Sequence, residues 1–289
     1  MKRYIVSLLA LCLFSCTERI DINTEASEPH LVIYGYITSD TTRHEIRITR
    51  SSSYFATSRP EGISHADVRI SSGDSVFVLT ENPSEAGLYQ TQGHVYGIEG
   101  ESYTLSVSLD FDEDGAFETY EATSFLPYAP EVDSIDFRDS DLIDKFIEVL
   151  LWGRLPEQDE NYLSFHIYRN DKQLTSHLED YFVIDDEYLD KKEIIGISCF
   201  YLDQEDEEED DILEEGDYIT VRVDGITKEY ATFIENAQSE LWGSDPLFSG
   251  PPANLETNIQ CKTQNAPADI SGFFTAFSGR RTSRVYHHQ

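Results

Sequence analysis

Leu31-Val32-Ile33-Tyr34-Gly35-Tyr36-Ile37, followed by His44-Glu45-Ile46-Arg47-Ile48-Thr49-Arg50, reads as two β-strands. In the second, apolar and polar residues alternate with period two. Ile46 and Ile48 then share one face and the charges the other, as in a half-buried strand. Ala66 to Ile70 and Val76 to Leu79 repeat the signal on either side of Ser71-Ser72-Gly73-Asp74, which reads as a hairpin loop. Gly87-Leu88-Tyr89, Tyr103 to Leu109 and Phe117 to Ser124 complete the set before Pro127 and Pro130. Short strands at near-regular spacing with turn residues between them predict an immunoglobulin-like β-sandwich over 29–128. The two prolines mark its boundary.

Residues 131–289 predict a second, less regular β-rich domain, so the chain as a whole is mainly β. Ser134 to Phe137, Phe146 to Trp152, Tyr162 to Tyr168, Tyr181 to Ile184, Glu193 to Tyr201 and Asp217 to Val223 read as its strands. One segment departs from period two. Tyr230, Phe233, Ile234, Ala237 and Leu241 form one stripe of an amphipathic helix at about 229–242, stopped by Gly243 and Pro246. Gly272 to Phe277 predicts a final strand returning to the sheet.

The apolar content, 39% with 17 Tyr and 16 Phe, is enough for packed cores. The charge is extreme: 21 basic against 55 acidic residues, a net of −34. Such a surface repels nucleic acid and anionic phospholipid, which excludes nucleic acid as a partner and favours cations or basic ligands.

The N-terminus carries an address. Lys2 and Arg3 lead into an apolar run from Tyr4 to Phe14, too short to cross a bilayer, and then Ser15-Cys16. Residues 1–15 read as a secretory signal peptide. A cysteine directly after a small residue resembles the lipobox of bacterial lipoproteins, where that cysteine becomes the lipid-bearing N-terminus. Cys16 is therefore the expected lipidation site, 16–28 a lipidated linker, and the lipid the expected membrane anchor. Cys12 goes with the signal, leaving Cys199 and Cys261. These could pair as a disulfide in an oxidising compartment or stay apart as thiols, and spacing alone leaves both open. No cysteine or histidine cluster has zinc spacing.

Two acidic constellations stand out. Asp110, Asp112 and Asp114, with Gly115, Glu118 and Glu121 behind them, fit a calcium-loop spacing, since carboxylates at alternate positions can converge on a hard cation. Strands flank the segment where such a loop needs helices, and the competing reading is an acidic hairpin turning at Asp114-Gly115. Weak calcium binding by the three aspartates stays open, and no other cofactor is expected. The run from Asp203 to Glu215 reads as an exposed, solvated loop. Nucleophile-elbow, metalloprotease and phosphate-loop motifs are missing from the sequence, and the histidines are scattered. The expectation is a protein that is not an enzyme.

Several segments together resemble a family of outer-membrane lipoproteins of the Bacteroidota, domain-of-unknown-function family 4249. They are Leu31 to Thr38 with Ile48 to Tyr54, Asp114-Gly115 running into Ala122-Thr123 and Pro127, Asp159-Glu160-Asn161-Tyr162, Asp185 to Asp190, Pro251 to Ile259, and Gly272-Phe273-Phe274. Lys191 and Cys261-Lys262 depart from glycines common at those positions. The resemblance implies an accessory, non-catalytic binding lipoprotein of the outer membrane whose partner is a TonB-dependent transporter. It carries no catalytic residue over. The loops bearing Asp159, Asn161 and Tyr162, and Asn254 and Asn258, are the candidate ligand or partner contacts. The alternative is a structural or adhesive surface lipoprotein without a transporter.

Overall fold

The computed structural model of the protein describes residues 29–51, 59–158, 160–188, 192–205, 212–242, 255–264 and 269–288. The chain is mainly β, with two sheets and, among the described residues, a single α-helix. The signal segment, Cys16 and its linker, Asp159 and Asn254 lie outside the described residues.

The first half is one antiparallel path. Strands β1 (Leu31–Thr38), β2 (Glu45–Arg50), β3 (Asp67–Ser72), β4 (Ser75–Glu81), β5 (Leu88–Thr91), β6 (Ser102–Leu109) and β7 (Glu118–Phe125) pair in the order β1-β2-β5-β4-β3-β6-β7. The path doubles over, because the apolar phase of its first and last strands enters one core containing Ile33, Ile46, Val68, Leu105 and Tyr120. Alternation is the cause: in β6 Tyr103, Leu105, Val107 and Leu109 are buried, and the serines and threonine between them are not. The β3–β4 turn is tighter than its sequence suggested. Ser72 pairs with Ser75, leaving a two-residue loop in which Gly73 has φ +53.

The second half is two-layered. Strands β8 (Glu131–Asp139), β9 (Phe146–Arg154) and β13 (Glu193–Asp203) form a three-stranded antiparallel sheet. It packs against β10 (Tyr162–Arg169) and β14 (Tyr218–Ile226), which contribute Leu163, Phe165, Ile167, Ile219, Val221 and Val223 to the core. The two-residue strand β11 (Lys172–Gln173) and β12 (Phe182–Asp185) pair with the far edge of β10. Another short strand, β15 (Gln260–Cys261), extends β7.

The halves share their last strand. β16 runs from Ile270 to Val285, well beyond the expected Gly272 to Phe277. Its first part, to Phe277, pairs in parallel with β1, and its second, from Ser278, pairs antiparallel with β14. The extension, Ser278-Gly279-Arg280-Arg281-Thr282-Ser283-Arg284, lacks apolar alternation and so gives no strand signal.

Helix α1 (Lys228–Trp242) lies over this junction. Thr227 caps it, its Oγ1 accepting the Tyr230 N–H at 3.2 Å. Tyr230, Ala231, Ile234 and Ala237 are buried, the first three packed with Phe273 and Ile226, each large apolar side chain stabilising by roughly 1.5–3 kcal/mol. Leu241, expected on the buried stripe, is exposed. The apolar face ends one turn earlier, where the buried Gln238 takes over.

Cys199 and Cys261 are free thiols. Cys199 belongs to the core of the second half and Cys261 packs against that of the first, so the possible disulfide is not formed. No helix among the described residues is long and apolar enough to cross a membrane.

Candidate functional site

The polar phase of the shared sheet is covered rather than solvated. Along β10, Ser164, His166 and Tyr168 point away from the second core, and Arg222, Asp224 and Ile226 do the same along β14. Register places His166 beside Arg222 and Arg222 beside Arg281 of β16, with Asp224 next to Gly279. On β1, Tyr34, Tyr36 and Thr38 continue the row. The resulting face is the floor of a cleft of about 650 Å³. Its walls are Tyr230 of α1, Gln173 and Tyr181 before β12, and Asp40, Thr41 and Thr42 of the β1–β2 turn.

Each wall is pinned. Gln238 of α1 donates through Nε2 to the carbonyls of Leu178 (2.9 Å) and Tyr181 (2.7 Å), fixing the segment that presents Tyr181. The Tyr181 ring meets His166 edge to face at 4.5 Å, and the Tyr34 and Tyr230 hydroxyls lie 3.0 Å apart. Tyr36 packs against Phe277 at 5.4 Å. Burial raises the tyrosine hydroxyls Tyr34, Tyr36, Tyr168, Tyr181 and Tyr230 above their ordinary pKa, so all five are protonated near neutrality.

Electrostatically, the floor is built on one buried guanidinium. Arg222 donates from Nε to Asp224 Oδ1 at 2.6 Å and from Nη1 to Asp40 Oδ2. Gly279 makes room for it, since a Cβ there would collide with Asp224 Oδ1 and lie 2.6 Å from Arg222 Nη2. Burial works against the charge on Arg222, but the Asp224 and Asp40 carboxylates outweigh it and keep the guanidinium protonated. Burial pushes Asp224 up to about 6 against the pull of Arg222.

His166 is neutral. Burial, reinforced by Arg222 and Arg281, lowers it to about 4, and its Nε2 is 3.6 Å from Asp224 Oδ2, too far for a hydrogen bond. Because the unfolded histidine titrates near 6.5 and the folded one near 4, the stability this depression contributes is present above pH 6.5 and is lost as pH falls towards 4. The loss comes to roughly 3 kcal/mol. Urea unfolding at neutral and acidic pH should show wild type losing that much more than His166→Gln on acidification. An equal loss in both would contradict a neutral His166.

The cleft was not among the residues singled out from sequence. Of those, Asn161 is a buried pin: its Oδ1 accepts from Gln158 Nε2 and its Nδ2 donates to Asp186 Oδ2, both at 2.7 Å. Tyr162 packs beneath α1, with the Lys228 ammonium 5.6 Å from its ring centre. Asn258 grips β16, donating to the Phe274 carbonyl at 2.7 Å and accepting the Phe274 N–H at 3.0 Å. Replacing Asn258 with alanine strips both bonds and is expected to cost about 2 kcal/mol, read from the urea midpoint. A change near zero would show that these two bonds contribute little to holding β16.

Asp110 and Asp112 do converge, but with Glu118 in place of Asp114, one oxygen from each lying within 4.8 Å of the others. Asp114 is taken up by the turn, its Oδ1 accepting the Ala116 N–H at 2.7 Å. Asp110 Oδ2 and Glu118 Oε2 likewise accept the Gly115 and Phe111 N–H groups, each at 3.0 Å. Asp110 Oδ1 is buried without a partner. The segment is an acidic hairpin whose cation-holding set would be Asp110, Asp112 and Glu118.

The family model of a domain of unknown function (DUF4249) matches residues 17–283. The chain belongs to that family. None of the curated proteins compared with the chain matches it. Among solved structures, the chicken CNTN1 FN1–FN3 domains are 12% identical with a TM-score of 0.27, over 68% of this chain and 62% of that one. The Yersinia pseudotuberculosis adhesin InvE is 15% identical with a TM-score of 0.19, over 68% of this chain and 55% of that one. The chain thus spans less than two thirds of either, and overlaps this loose describe neither its fold nor its work.

Proposed function

We propose that this member of the DUF4249 family is a non-catalytic binding protein of the cell envelope. It is anchored at the outer membrane by lipid on Cys16, holds a ligand in the tyrosine-lined cleft and serves a TonB-dependent transporter. The observation that carries the binding role is the cleft itself. It has the size of a small-molecule site, and its walls are held by hydrogen bonds from α1. Its geometry favours binding over catalysis. Ser164 Oγ and Asp224 Oδ2 both approach the same nitrogen of His166, Nε2, at 3.4 and 3.6 Å. A serine–histidine–aspartate relay needs them on opposite nitrogens. The anchor and the transporter rest on the signal-like segment ending at Cys16 and on the resemblance of the sequence to transporter-associated lipoproteins.

Purification of the native protein in mild detergent, with mass spectrometry of what accompanies it, tests this reading. A TonB-dependent transporter in stoichiometric amount is the expected result. Recovery of the protein alone, with its lipid verified by intact mass, would end the transporter role and favour a free-standing surface protein. An unmodified Cys16 in the membrane fraction would end the anchor.

A further inference from the structure

The chemistry of the cleft narrows what it can hold. Its ionised groups balance, Arg222 and Arg281 against Asp40 and Asp224. Arg222 is committed to both carboxylates and Arg281 lies over the Tyr168 ring, 5.4 Å from its centre, so a charged ligand competes with these contacts for a partner, and a neutral one need not. A purely apolar ligand fits no better. It would desolvate the Thr41 and Thr42 hydroxyls on one side and the Gln173 amide on the other without offering them a hydrogen bond in return. Neutral His166 and Gln173 can each donate and accept, as can the hydroxyls, which suits ligand groups that do both. Alcohols do both.

The walls add a second requirement. Five tyrosines and Phe277 line the cleft, and the face of an aromatic ring is electron-rich, so it attracts C–H groups that carry slight positive charge. A ligand satisfying both conditions has hydroxyls around its edge and C–H groups across its face. A pyranose ring is built that way. We infer that the cleft binds a short neutral oligosaccharide, hydroxyls on the threonine, Gln173 and His166 side and sugar faces against the tyrosines. This assignment rests on the cleft being the ligand site proposed above.

The full chain in mild detergent is screened on an array of neutral oligosaccharides, with uronic-acid oligosaccharides and a tripeptide library as comparators. Hits are titrated by calorimetry against wild type, Tyr181→Ala and Tyr168→Ala, with circular dichroism melts to verify folding. A neutral oligosaccharide should bind, and each folded tyrosine variant should weaken it by about tenfold. Raising NaCl to about 0.5 M should leave its affinity nearly unchanged, since no charge pair is formed. Preference for an acidic sugar or a tripeptide, weakened by the same variants, overturns the neutral carbohydrate and leaves the cleft as the site. Binding that neither folded variant weakens overturns the cleft as well. Silence across all three probe classes also overturns the carbohydrate assignment.

Discussion

Replacing Arg222 with methionine is expected to lower the free energy of unfolding by about 3–5 kcal/mol. Arg222 and Asp224 have side chains only 8% and 3% exposed, so the substitution leaves a carboxylate in the protein interior without its hydrogen-bonded cation. The loss comes mostly from that stranded charge rather than from the missing attraction. Two corollaries separate this cause from lost packing. The double variant Arg222→Met with Asp224→Leu should recover most of the stability, because neither charge remains buried. The single variant should also regain ground as pH falls, because Asp224, already raised to about 6 by burial, takes up a proton and ceases to be charged. Urea unfolding of the three proteins at two pH values reads all of this. A single variant within about 1 kcal/mol of wild type at neutral pH would mean the pair is far better solvated than its burial implies.

Gly272→Ala should be comparably damaging, by roughly 3–5 kcal/mol, for two reasons that add. Gly272 has φ +101, a conformation that side chains other than hydrogen rarely adopt. Its register partner is Ile33, and an added Cβ would fall on the Ile33 carbonyl, whose carbon is 2.7 Å from the built position. The chain cannot relieve one strain without worsening the other, since turning φ negative shifts the strand relative to β1. Gly93→Ala is the matched control, with nothing within 4 Å of the added carbon, and should change stability by less than about 0.5 kcal/mol. Equal midpoints for the two variants would show that β1 and β16 can separate locally at little cost.

The contrast between what was readable and what was not follows from the meaning of alternation. β6 and β2 were plain in the sequence because one phase is apolar and the other polar, and the polar phase there faces water or lies near it. β14 has the same pattern, Ile219, Val221 and Val223 against Thr220, Arg222 and Asp224, yet both phases are buried. Period two says which residues share a face, and it is silent on whether a helix and a loop later cover that face. A faint signal was present: opposite charges at 222 and 224 share a strand face, and a histidine, serine and tyrosine share one on β10. Asn161 and Asn258 were candidate contacts because they lie in the loops that carry the family resemblance, and each spends its amide on nearby protein groups. The acidic hairpin was half legible. Spacing brought Asp110 and Asp112 together, but Asp114 is consumed by the turn and the buried Glu118 of β7 replaces it.

The strand common to both halves dictates an order of events during synthesis. The ladder that begins with Leu31 opposite Ile270 joins residues at opposite ends of the polypeptide. A nascent chain emerges at about 5–20 residues per second, so the first strand waits many seconds for its neighbour. Through that interval Phe274 and Ala276, which complete the first core, have yet to be made. Closing so long a loop is entropically uphill, and topologies dominated by distant pairings fold slowly. The first core therefore cannot be completed until almost all of the chain exists, and an unfinished apolar surface persists through most of synthesis.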